Sequence, residues 1–363
     1  MNLRLVPRLA AAHGGATAAA IDLSASLNPL GPHPAALEAA RRCELGRYPE
    51  PDARQFVDAA AKRHRIASDC IVPTPGASWG LWLCAIALIG RGDLCLAIGP
   101  CFGEYRRSAE IAGAEFEEVN VWPPDQESPS YWLEVAFVRR PAMLMIANPS
   151  NPGGQAKPGT NIRRLCEQNP QTMFVIDEAF ASFAPAGTSL LESGPPPKNA
   201  VVVRSLTKDL AMPGLRMGYI VGDADLASQL NGVLPAWPLS APAIAAAVAG
   251  LDDQSHVEAG ALLGRQQVAE LTAALAATGA EPFGSDANYL VAHAPAAGAE
   301  LRSSGIAVRD CTSFGLPGHV RLAAPKRDEM RAVLAAIAGL GQMTGRLATT
   351  VDTAALDRIG LEP

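Results

Sequence analysis

Short apolar segments of strand character alternate with helical patterns through the first two thirds of the chain. The helical patterns cover residues 78–89, 104–112 and 161–167. Such alternation predicts an α/β fold with a largely parallel sheet that is covered by helices on both faces. In sheets of this kind ligands bind beyond the carboxyl ends of the strands. The predicted strands are 71–72, 94–98, 116–119, 142–147, 173–177, 200–204 and 217–221.

The composition and the order of predicted elements change after about residue 235. Residues 242–277 are rich in Ala and Leu and contain few helix breakers, which predicts one long helix or two successive helices. Predicted strands at 289–293, 306–309 and 320–323 follow, and then a closing helix at 327–340. A chain of 363 residues is too long for one small core. We therefore expect an N-terminal arm at 1–30 that packs with the small domain, a large domain at 31–235, a small domain at 236–341 and a tail at 342–363.

Composition and charge exclude several classes of function. The formal net charge of -6 gives no general attraction to nucleic acid or to an anionic membrane. The longest apolar run, 81–89, is far shorter than a membrane span, and the first residues lack the apolar stretch of a signal peptide. The 7 cysteines are scattered, and no cluster of Cys, His and carboxylate residues has the spacing of metal ligands. We expect a cytoplasmic protein without a metal site.

Lys208 directly follows the apolar segment 200–204, at the position where a ligand of such a sheet would bind. A lysine taken at random is a solvated surface charge. Here, however, Ser205 and Arg216 can both reach a phosphate, and Pro213 predicts a turn that brings Arg216 back toward Lys208. An amine that is partly desolvated near fixed positive charge loses basicity, as a lysine that traps a carbonyl must.

Two other predicted strands end in polar side chains. Asp177 follows the apolar residues 173–176, and an ionised carboxylate at the end of a buried strand is costly unless it is paired. A pyridinium nitrogen would be that partner; the alternative is a carboxylate that caps the following helix. Asn151 lies in an Asn-Pro-rich turn after 142–147, where its amide either donates to a ring oxygen or only stabilises the turn.

Small residues and an aromatic ring follow two more strands. Gly76, Ala77 and Ser78 offer free backbone N–H groups to a phosphate, although many helices begin in this way. Phe102, after the strand 94–98, is either a core residue or a ring that stacks on a planar ligand. Together the strand ends supply a phosphate cradle, an amide donor, a carboxylate and a lysine. This combination predicts pyridoxal 5'-phosphate (PLP) as the cofactor.

The segment SLTKDLAMPGLRMGY at 205–219 resembles the fold-type I PLP-dependent enzymes, the aspartate aminotransferase-like superfamily. The resemblance covers nearly all of residues 13–340. It implies a mostly parallel seven-stranded sheet in a large domain and a smaller α+β domain. It also implies that Lys208 forms a Schiff base with PLP and that Asp177 holds the pyridine nitrogen, these two being the catalytic residues. The other residues that it assigns to the cofactor are Asn151 at O3', Gly76, Ala77, Ser78, Ser205 and Arg216 at the phosphate, Phe102 stacked on the ring, and Tyr48 at the cofactor phosphate of the neighbouring subunit.

Two families within this superfamily compete. The opening HGG at 13–15, the segment LSASLNPLG at 23–31, RYPEPD at 47–52 and DEAF at 177–180 are similar to the threonine-phosphate decarboxylases of cobalamin biosynthesis. This similarity implies decarboxylation of L-threonine O-3-phosphate to (R)-1-amino-2-propanol O-2-phosphate and CO2. The alternative is a histidinol-phosphate aminotransferase or a related class I/II aminotransferase. A non-catalytic PLP-binding protein is a third reading, although the chain has no basic N-terminal helical domain of the kind that regulators carry.

The resemblance also assigns the substrate end. Arg321 is expected to hold the substrate carboxylate, and Arg309, with His13 nearby, the phosphate of a small phosphorylated amino acid. Asn28 is also expected to contact the substrate, and the role of Tyr48 implies a homodimer with active sites near the interface. Three features depart from the family pattern and leave the substrate pocket less defined. They are Trp79-Gly80 after the phosphate turn, Asp209 after the lysine, and the short string 312–318.

Overall fold

The computed structural model describes residues 13–15, 19–123 and 138–349. The described strands are β1 (Ile21–Asp22), β2 (Ile71–Thr74), β3 (Leu94–Gly99), β4 (Glu115–Asn120), β5 (Met143–Ala147), β6 (Met173–Asp177), β7 (Ala200–Ser205), β8 (Gly218–Val221), β9 (Glu281–Pro282), β10 (Tyr289–His293), β11 (Ile306–Ala307), β12 (Arg309–Asp310) and β13 (His319–Ala323). The described helices are α1 (Pro34–Arg42), α2 (Arg54–His64), α3 (Ala77–Leu88), α4 (Gly103–Ala112), α5 (Gly159–Gln168), α6 (Leu206–Asp209), α7 (Ala224–Val233), α8 (Ala241–Asp252), α9 (Ser255–Ala276), α10 (Ala297–Ser303) and α11 (Met330–Thr349).

The large sheet contains all seven strands predicted before residue 235. Their order is β2-β8-β7-β6-β5-β3-β4, and only β8 runs antiparallel to its neighbours. The prediction of a mostly parallel seven-stranded sheet is therefore confirmed. Because β2, β3, β5, β6 and β7 point the same way, the residues that follow them meet at one edge of the sheet.

The apolar strands of this sheet are buried on both faces. In β7, Val201 and Val203 pack with the helices α3, α4 and α7, whereas Val202 faces α2, α5 and α8. All three valines are fully buried. Since burial of such a side chain contributes about 1.5–3 kcal/mol, the central strands are the most strongly held part of the fold. A rigid sheet edge of this kind can position catalytic side chains accurately.

The described chain after residue 235 forms the four helices α8 to α11 and a smaller four-stranded sheet. The Ala-rich segment is two helices, α8 and α9, and the small sheet has the order β12-β13-β10-β9. The prediction of a single strand at 306–309 is wrong. It is divided at the buried Val308, because β11 pairs with β1 whereas β12 pairs with β13.

The N-terminal segment contacts this smaller unit. β1 pairs in parallel with β11, and Leu23 lies in the same apolar cluster as Leu290, Leu322 and Val333. Residues 1–12 and 16–18 of the predicted arm, and residues 350–363 of the predicted tail, lie outside the described residues. The domain boundaries at residues 30, 235 and 341 remain predictions.

Candidate active site

A cavity of about 400 Å³ lies at the carboxyl edge of the large sheet. Pockets that bind small ligands have volumes of roughly 300–1,000 Å³. Residues that follow the strands of the large sheet form one end of the cavity. The small sheet and the N-terminal segment form the other end. The predicted site residues that line it are His13, Ala77, Ser78, Phe102, Asn151, Asp177, Ser205, Lys208, Arg216, Arg309 and Arg321.

Lys208 belongs to the short helix α6, which follows β7 directly. Burial, reinforced by the charges of Arg321 and Arg216, lowers the pKa of Lys208 to about 8, while Asp177 acts in the opposite direction. Its Nζ lies 5.7 Å from the centre of the Phe180 ring. An amine with a pKa near 8 is partly neutral at physiological pH, so it can act as a nucleophile or as a base.

Asp177 is the last residue of β6 and its carboxylate faces the cavity. Oδ2 accepts a hydrogen bond of 2.9 Å from the Tyr105 hydroxyl, and Oδ1 accepts one of 3.0 Å from the Ala179 N–H. Burial raises the pKa of Asp177, and the two hydrogen bonds oppose that shift. A buried carboxylate with only neutral donors favours a cationic partner in the cavity. Sequence reasoning missed Tyr105, although it follows Phe102 by three residues at the start of a helix.

The start of α3 and the loop after α6 form an anion-binding end. Gly76 precedes α3 with φ of 86°, and no side chain caps the first N–H groups of this helix. A Cβ on Gly76 would lie 2.6 Å from Nη2 of Arg216, and one on Gly218 would lie 2.8 Å from the Ala77 nitrogen. Only glycine allows this close approach. The free N–H groups and the guanidinium together fit a phosphate.

Two hydroxyl groups complete this end of the cavity. Ser205 Oγ and Thr207 Oγ1 lie 2.5 Å apart, and both residues line the cavity. Both are almost fully buried, so each needs a hydrogen-bond partner inside the protein or on a ligand. Sequence reasoning identified Ser205 but missed Thr207, which stands between Ser205 and Lys208 in the same motif.

Arg321 lies on β13 at the opposite end of the cavity and is buried. Its Nη1 donates to Oδ1 of Asn151, and its Nη2 donates to the Ser24 carbonyl at 3.0 Å. The guanidinium lies 5.1 Å from the centre of the Tyr289 ring. Within the described part of the chain, the buried Nε has no hydrogen-bond partner. A buried guanidinium whose hydrogen bonds go to a neutral amide and a neutral carbonyl favours an anionic ligand.

Arg309 lines the same end of the cavity and is held by the short turn that follows β12. Its Nη2 donates to Oγ of Ser313 at 2.6 Å, and its guanidinium lies 5.1 Å from the centre of the Phe314 ring. The side chain is partly buried, and burial lowers the pKa of Arg309. The string 312–318, which departs from the family pattern, therefore supplies the residues that orient Arg309.

His13 reaches the cavity from the N-terminal segment. Its Nε2 lies 3.2 Å from Oε1 of Glu104, a buried carboxylate that also accepts a hydrogen bond of 2.7 Å from Nε1 of Trp82. The imidazole lies 5.8 Å from the ring of Phe102, centre to centre. Phe102 in turn contacts Tyr105 edge-on. Glu104 was not recognised in the sequence, where it reads as an ordinary acidic residue in the first turn of a helix.

Three predicted site residues do not line the cavity. One is Gly76, which directly precedes the lining residue Ala77 at the start of α3. Asn28 is buried and hydrogen-bonds to main-chain groups of Asp209, His256 and Leu30. The side chain of Tyr48 is exposed on the surface, with its ring 5.0 Å from that of Trp237. The structure contains one chain, so the contact of Tyr48 with a neighbouring subunit remains a prediction.

The cavity residues fit PLP in three respects. An uncapped helix start, two hydroxyls and Arg216 suit its phosphate, and the buried carboxylate of Asp177 suits a protonated pyridine nitrogen. Lys208 supplies an amine of lowered pKa between these groups. The fold and the site together define a PLP-dependent enzyme. In the described part of the chain no group of three or more His, Cys, Asp or Glu side chains could hold a metal ion, and no helix could span a membrane.

Comparison with known proteins assigns the family. Residues 18–337 match the family model of aminotransferase class I and II, and the chain belongs to this family. It is 31% identical to the histidinol-phosphate aminotransferase of Symbiobacterium thermophilum over 332 residues, which cover 89% of this chain and 91% of that protein. The same enzyme from Halorubrum lacusprofundi is 28% identical, with 87% of each chain covered.

Solved structures agree with the fold. The histidinol-phosphate aminotransferase of Sinorhizobium meliloti, in complex with pyridoxal-5'-phosphate, matches with a TM-score of 0.82 at 21% identity, covering 90% of this chain and 92% of that chain. The L-threonine-O-3-phosphate decarboxylase of Porphyromonas gingivalis matches with a TM-score of 0.70 at 25% identity, covering 83% and 91%. PLP as the cofactor is confirmed.

The expectation of a threonine-phosphate decarboxylase is wrong. Several curated relatives that match over most of the chain are histidinol-phosphate aminotransferases. The comparisons support a transferase rather than a carboxy-lyase, and the names of the relatives do not support a place in cobalamin biosynthesis. The sequence markers misled because they do not control which bond breaks. Phe180 of DEAF, for example, packs edge-on against Tyr289 in the cavity wall.

Proposed function

We propose that the protein is an aminotransferase that transfers the amino group of L-histidinol phosphate to 2-oxoglutarate. The observation that carries this proposal is a cavity with Lys208 between two anion-binding ends. One end, around Arg216, suits the phosphate of the cofactor. The other end, with Arg309 and Arg321, suits the anionic groups of two alternating substrates. The relatives named histidinol-phosphate aminotransferase support histidinol phosphate as the amino donor.

The cofactor end is expected to work through charge and position. When bound, PLP condenses with an amine, releasing one water, and draws electrons away from the α-carbon of that amine. The carboxylate of Asp177 holds a proton on the pyridine nitrogen, and the Tyr105 hydroxyl keeps the carboxylate in place. Ser205, Thr207 and Arg216 would hold the phosphate and so fix the cofactor near Lys208.

The substrate end selects anions. Arg321 is suited to the α-carboxylate of glutamate, because its buried guanidinium has one nitrogen without a partner among the described residues. Arg309 is suited to the phosphate of histidinol phosphate or to the second carboxylate of glutamate. Both ligands are anionic, so one cationic site can serve the two half-reactions in turn.

Lys208 is the proposed proton carrier. With a substrate amine on the cofactor, the Nζ of Lys208 would be the available base, because its pKa of about 8 leaves part of the amine neutral at physiological pH. The neutral Nζ takes the proton from the substrate α-carbon and delivers it elsewhere within the cavity. The cofactor would hold the amino group between the two half-reactions, with water releasing the oxo product, and Lys208 would move the proton in both.

A substrate assay tests the proposal. Purified protein loaded with PLP is incubated with L-histidinol phosphate and 2-oxoglutarate, and glutamate and imidazole acetol phosphate are quantified. We expect both products in equal amounts. When 2-oxoglutarate is omitted, no glutamate should form and the oxo product should not exceed one equivalent per active site. The Lys208→Ala variant is the matched control and should form neither.

A second arm uses L-threonine O-3-phosphate without any oxo acid. The proposal expects no CO2 release above that of the Lys208→Ala control. Sustained CO2 release in this arm, with no glutamate in the first arm, would overturn the proposal. Absence of both activities in protein that retains bound PLP would also contradict it.

A further inference from the structure

Asn28 forms several hydrogen bonds with the main chain at Lys208. Its main-chain N–H donates to the carbonyl of Lys208 at 3.0 Å, and its side-chain Nδ2 donates to the carbonyl of Asp209 at 3.0 Å. Its Oδ1 accepts from the N–H of Leu30 at 3.0 Å. The residue is only 2% exposed. One asparagine therefore fixes two consecutive peptide groups at the catalytic lysine.

The same carboxamide also contacts the helix α9. Nδ2 lies 3.4 Å from the carbonyl of His256, and a Cβ on Gly260 would lie 2.0 Å from Oδ1 of Asn28. Helix α9 can therefore approach Asn28 this closely only because residue 260 is glycine. Asn28 thus connects helix α6, which carries Lys208 and follows β7 of the large sheet, to the first helical turn of α9.

Four residues before Asn28, the same segment lies at the Arg321 end of the cavity. The carbonyl of Ser24 accepts a hydrogen bond of 3.0 Å from Nη2 of Arg321. The carbonyl of Leu27 accepts one of 2.8 Å from Nδ2 of the buried Asn288. The short stretch 24–28 thus runs from the guanidinium of Arg321 to the main chain of Lys208.

We propose that Asn28 is a positioning residue that holds the main chain of Lys208 at the distance required for covalent capture of PLP. The sequence predicted that Asn28 contacts the substrate. In the structure Asn28 does not line the cavity, and its side chain contacts helices α6 and α9 instead. The contacts of segment 24–28 also couple the position of Arg321 to that of Lys208. The proposal rests on Lys208 as the PLP lysine and is independent of which amine is the substrate.

The test compares two ligands of the apoenzyme. PLP is captured covalently by Lys208, and capture is followed by stopped-flow absorbance and by borohydride reduction with mass spectrometry. Pyridoxamine 5'-phosphate has no aldehyde and reports only on the phosphate and ring contacts. In Asn28→Ala we expect capture to slow on the order of 10- to 100-fold, as for displacement of a reacting group by about 1 Å. The affinity for pyridoxamine 5'-phosphate should stay within about threefold.

The control is Asn199→Ala, which removes an amide that donates to the carbonyls of Cys166, Asn169 and Thr172, outside the cavity lining and without contact to segment 24–28. It should lower the melting temperature of the apoenzyme and leave the capture rate at the wild-type value. A second variant, Gly260→Ala, places a methyl group against the carboxamide of Asn28. It should slow capture in the wild-type background and have little further effect in Asn28→Ala, because the two changes act through one contact.

Wild-type capture rates in both Asn28→Ala and Gly260→Ala would overturn the proposal. So would a slowing of capture that is matched by an equal loss of affinity for pyridoxamine 5'-phosphate. Additive effects of Gly260→Ala and Asn28→Ala would show that the two residues act separately and would overturn it as well. If Lys208→Ala still captured PLP covalently, the assignment of the lysine itself would fail, and with it the proposed function.

Discussion

The two ends of the cavity are built in different ways. At the cofactor end, Asp177, Ser205 and Lys208 follow neighbouring strands of one buried sheet, and each is placed by a short local sequence. At the substrate end, Arg321 comes from the small sheet and His13 from the N-terminal segment. The first end is rigid and locally encoded, whereas the second depends on contacts between segments far apart in the chain.

This difference separates the chemistry from the specificity. The sheet edge fixes the groups that every PLP-dependent reaction of this fold needs. In the proposed function the substrate end decides which bond at the α-carbon is aligned for cleavage, and it is assembled from segments that are far apart in the chain. Substitutions at the cofactor end should therefore abolish all chemistry, while those at the substrate end should alter the choice of substrate.

The largest effect is expected for Lys208→Ala. Loss of the amine removes both the covalent attachment of PLP and the proton carrier, so kcat for amino transfer should fall on the order of 10⁴-fold. Steady-state assays of glutamate formation measure the effect. The Lys198→Ala variant, which changes a lysine outside the cavity lining, is the matched control and should keep wild-type kcat. Retention of more than a tenth of the activity in Lys208→Ala would contradict the role of Lys208.

A smaller effect is expected for Arg321→Ala. Truncating one partner of a buried charged interaction costs about 2–5 kcal/mol, which corresponds to a loss of roughly 30- to 4,000-fold in kcat/KM for glutamate. Covalent capture of PLP should persist, since the phosphate cradle is at the other end. An unchanged kcat/KM would show that Arg321 does not bind the substrate carboxylate.

Arg309→Ala should have a more limited and more selective effect. Its guanidinium is partly exposed and is oriented by Ser313 and Phe314, so we expect KM for histidinol phosphate to rise roughly tenfold with kcat little changed. The control is Arg302→Ala, an exposed arginine of α10 outside the cavity lining, which should leave KM unchanged. Equal effects of the two variants would remove Arg309 from the substrate site.

The smallest effect concerns pH. Because burial and two arginines lower the pKa of Lys208 to about 8, its neutral fraction rises with pH below that value and levels off above it. The rate of PLP capture by the apoenzyme should therefore increase less than about twofold between pH 8 and pH 9. A lysine of ordinary pKa would give a nearly tenfold increase over the same interval. A pH–rate profile by stopped-flow absorbance distinguishes the two.

Most of the fold could be predicted from the sequence because its strands are short, apolar and regularly spaced. All seven strands of the large sheet were predicted, and the cofactor followed from the residues at their ends. The division of 306–309 between two sheets could not be predicted, since the pairing of β11 with β1 depends on a segment more than 280 residues away. Local pattern contains no information about such a pairing.

The site shows the same limit. Lys208, Asp177 and Arg216 stand in motifs whose spacing fixes their relative positions. Tyr105 and Glu104 could not be recognised, because their partners, Asp177 and His13, approach them only after folding. The mistaken preference for decarboxylation has the same origin, since the family markers at 13–15 and 177–180 do not determine the orientation of the α-carbon bonds.

The fate of the amino nitrogen tests the central claim most directly. L-Histidinol phosphate that carries an isotopic label on its amino nitrogen is mixed with the PLP-loaded protein and unlabelled 2-oxoglutarate, and the products are analysed by mass spectrometry. The account predicts that the label appears in glutamate, in amounts equal to the oxo product formed. Label that remains entirely in L-histidinol phosphate, or oxo product that forms without labelled glutamate, would contradict it.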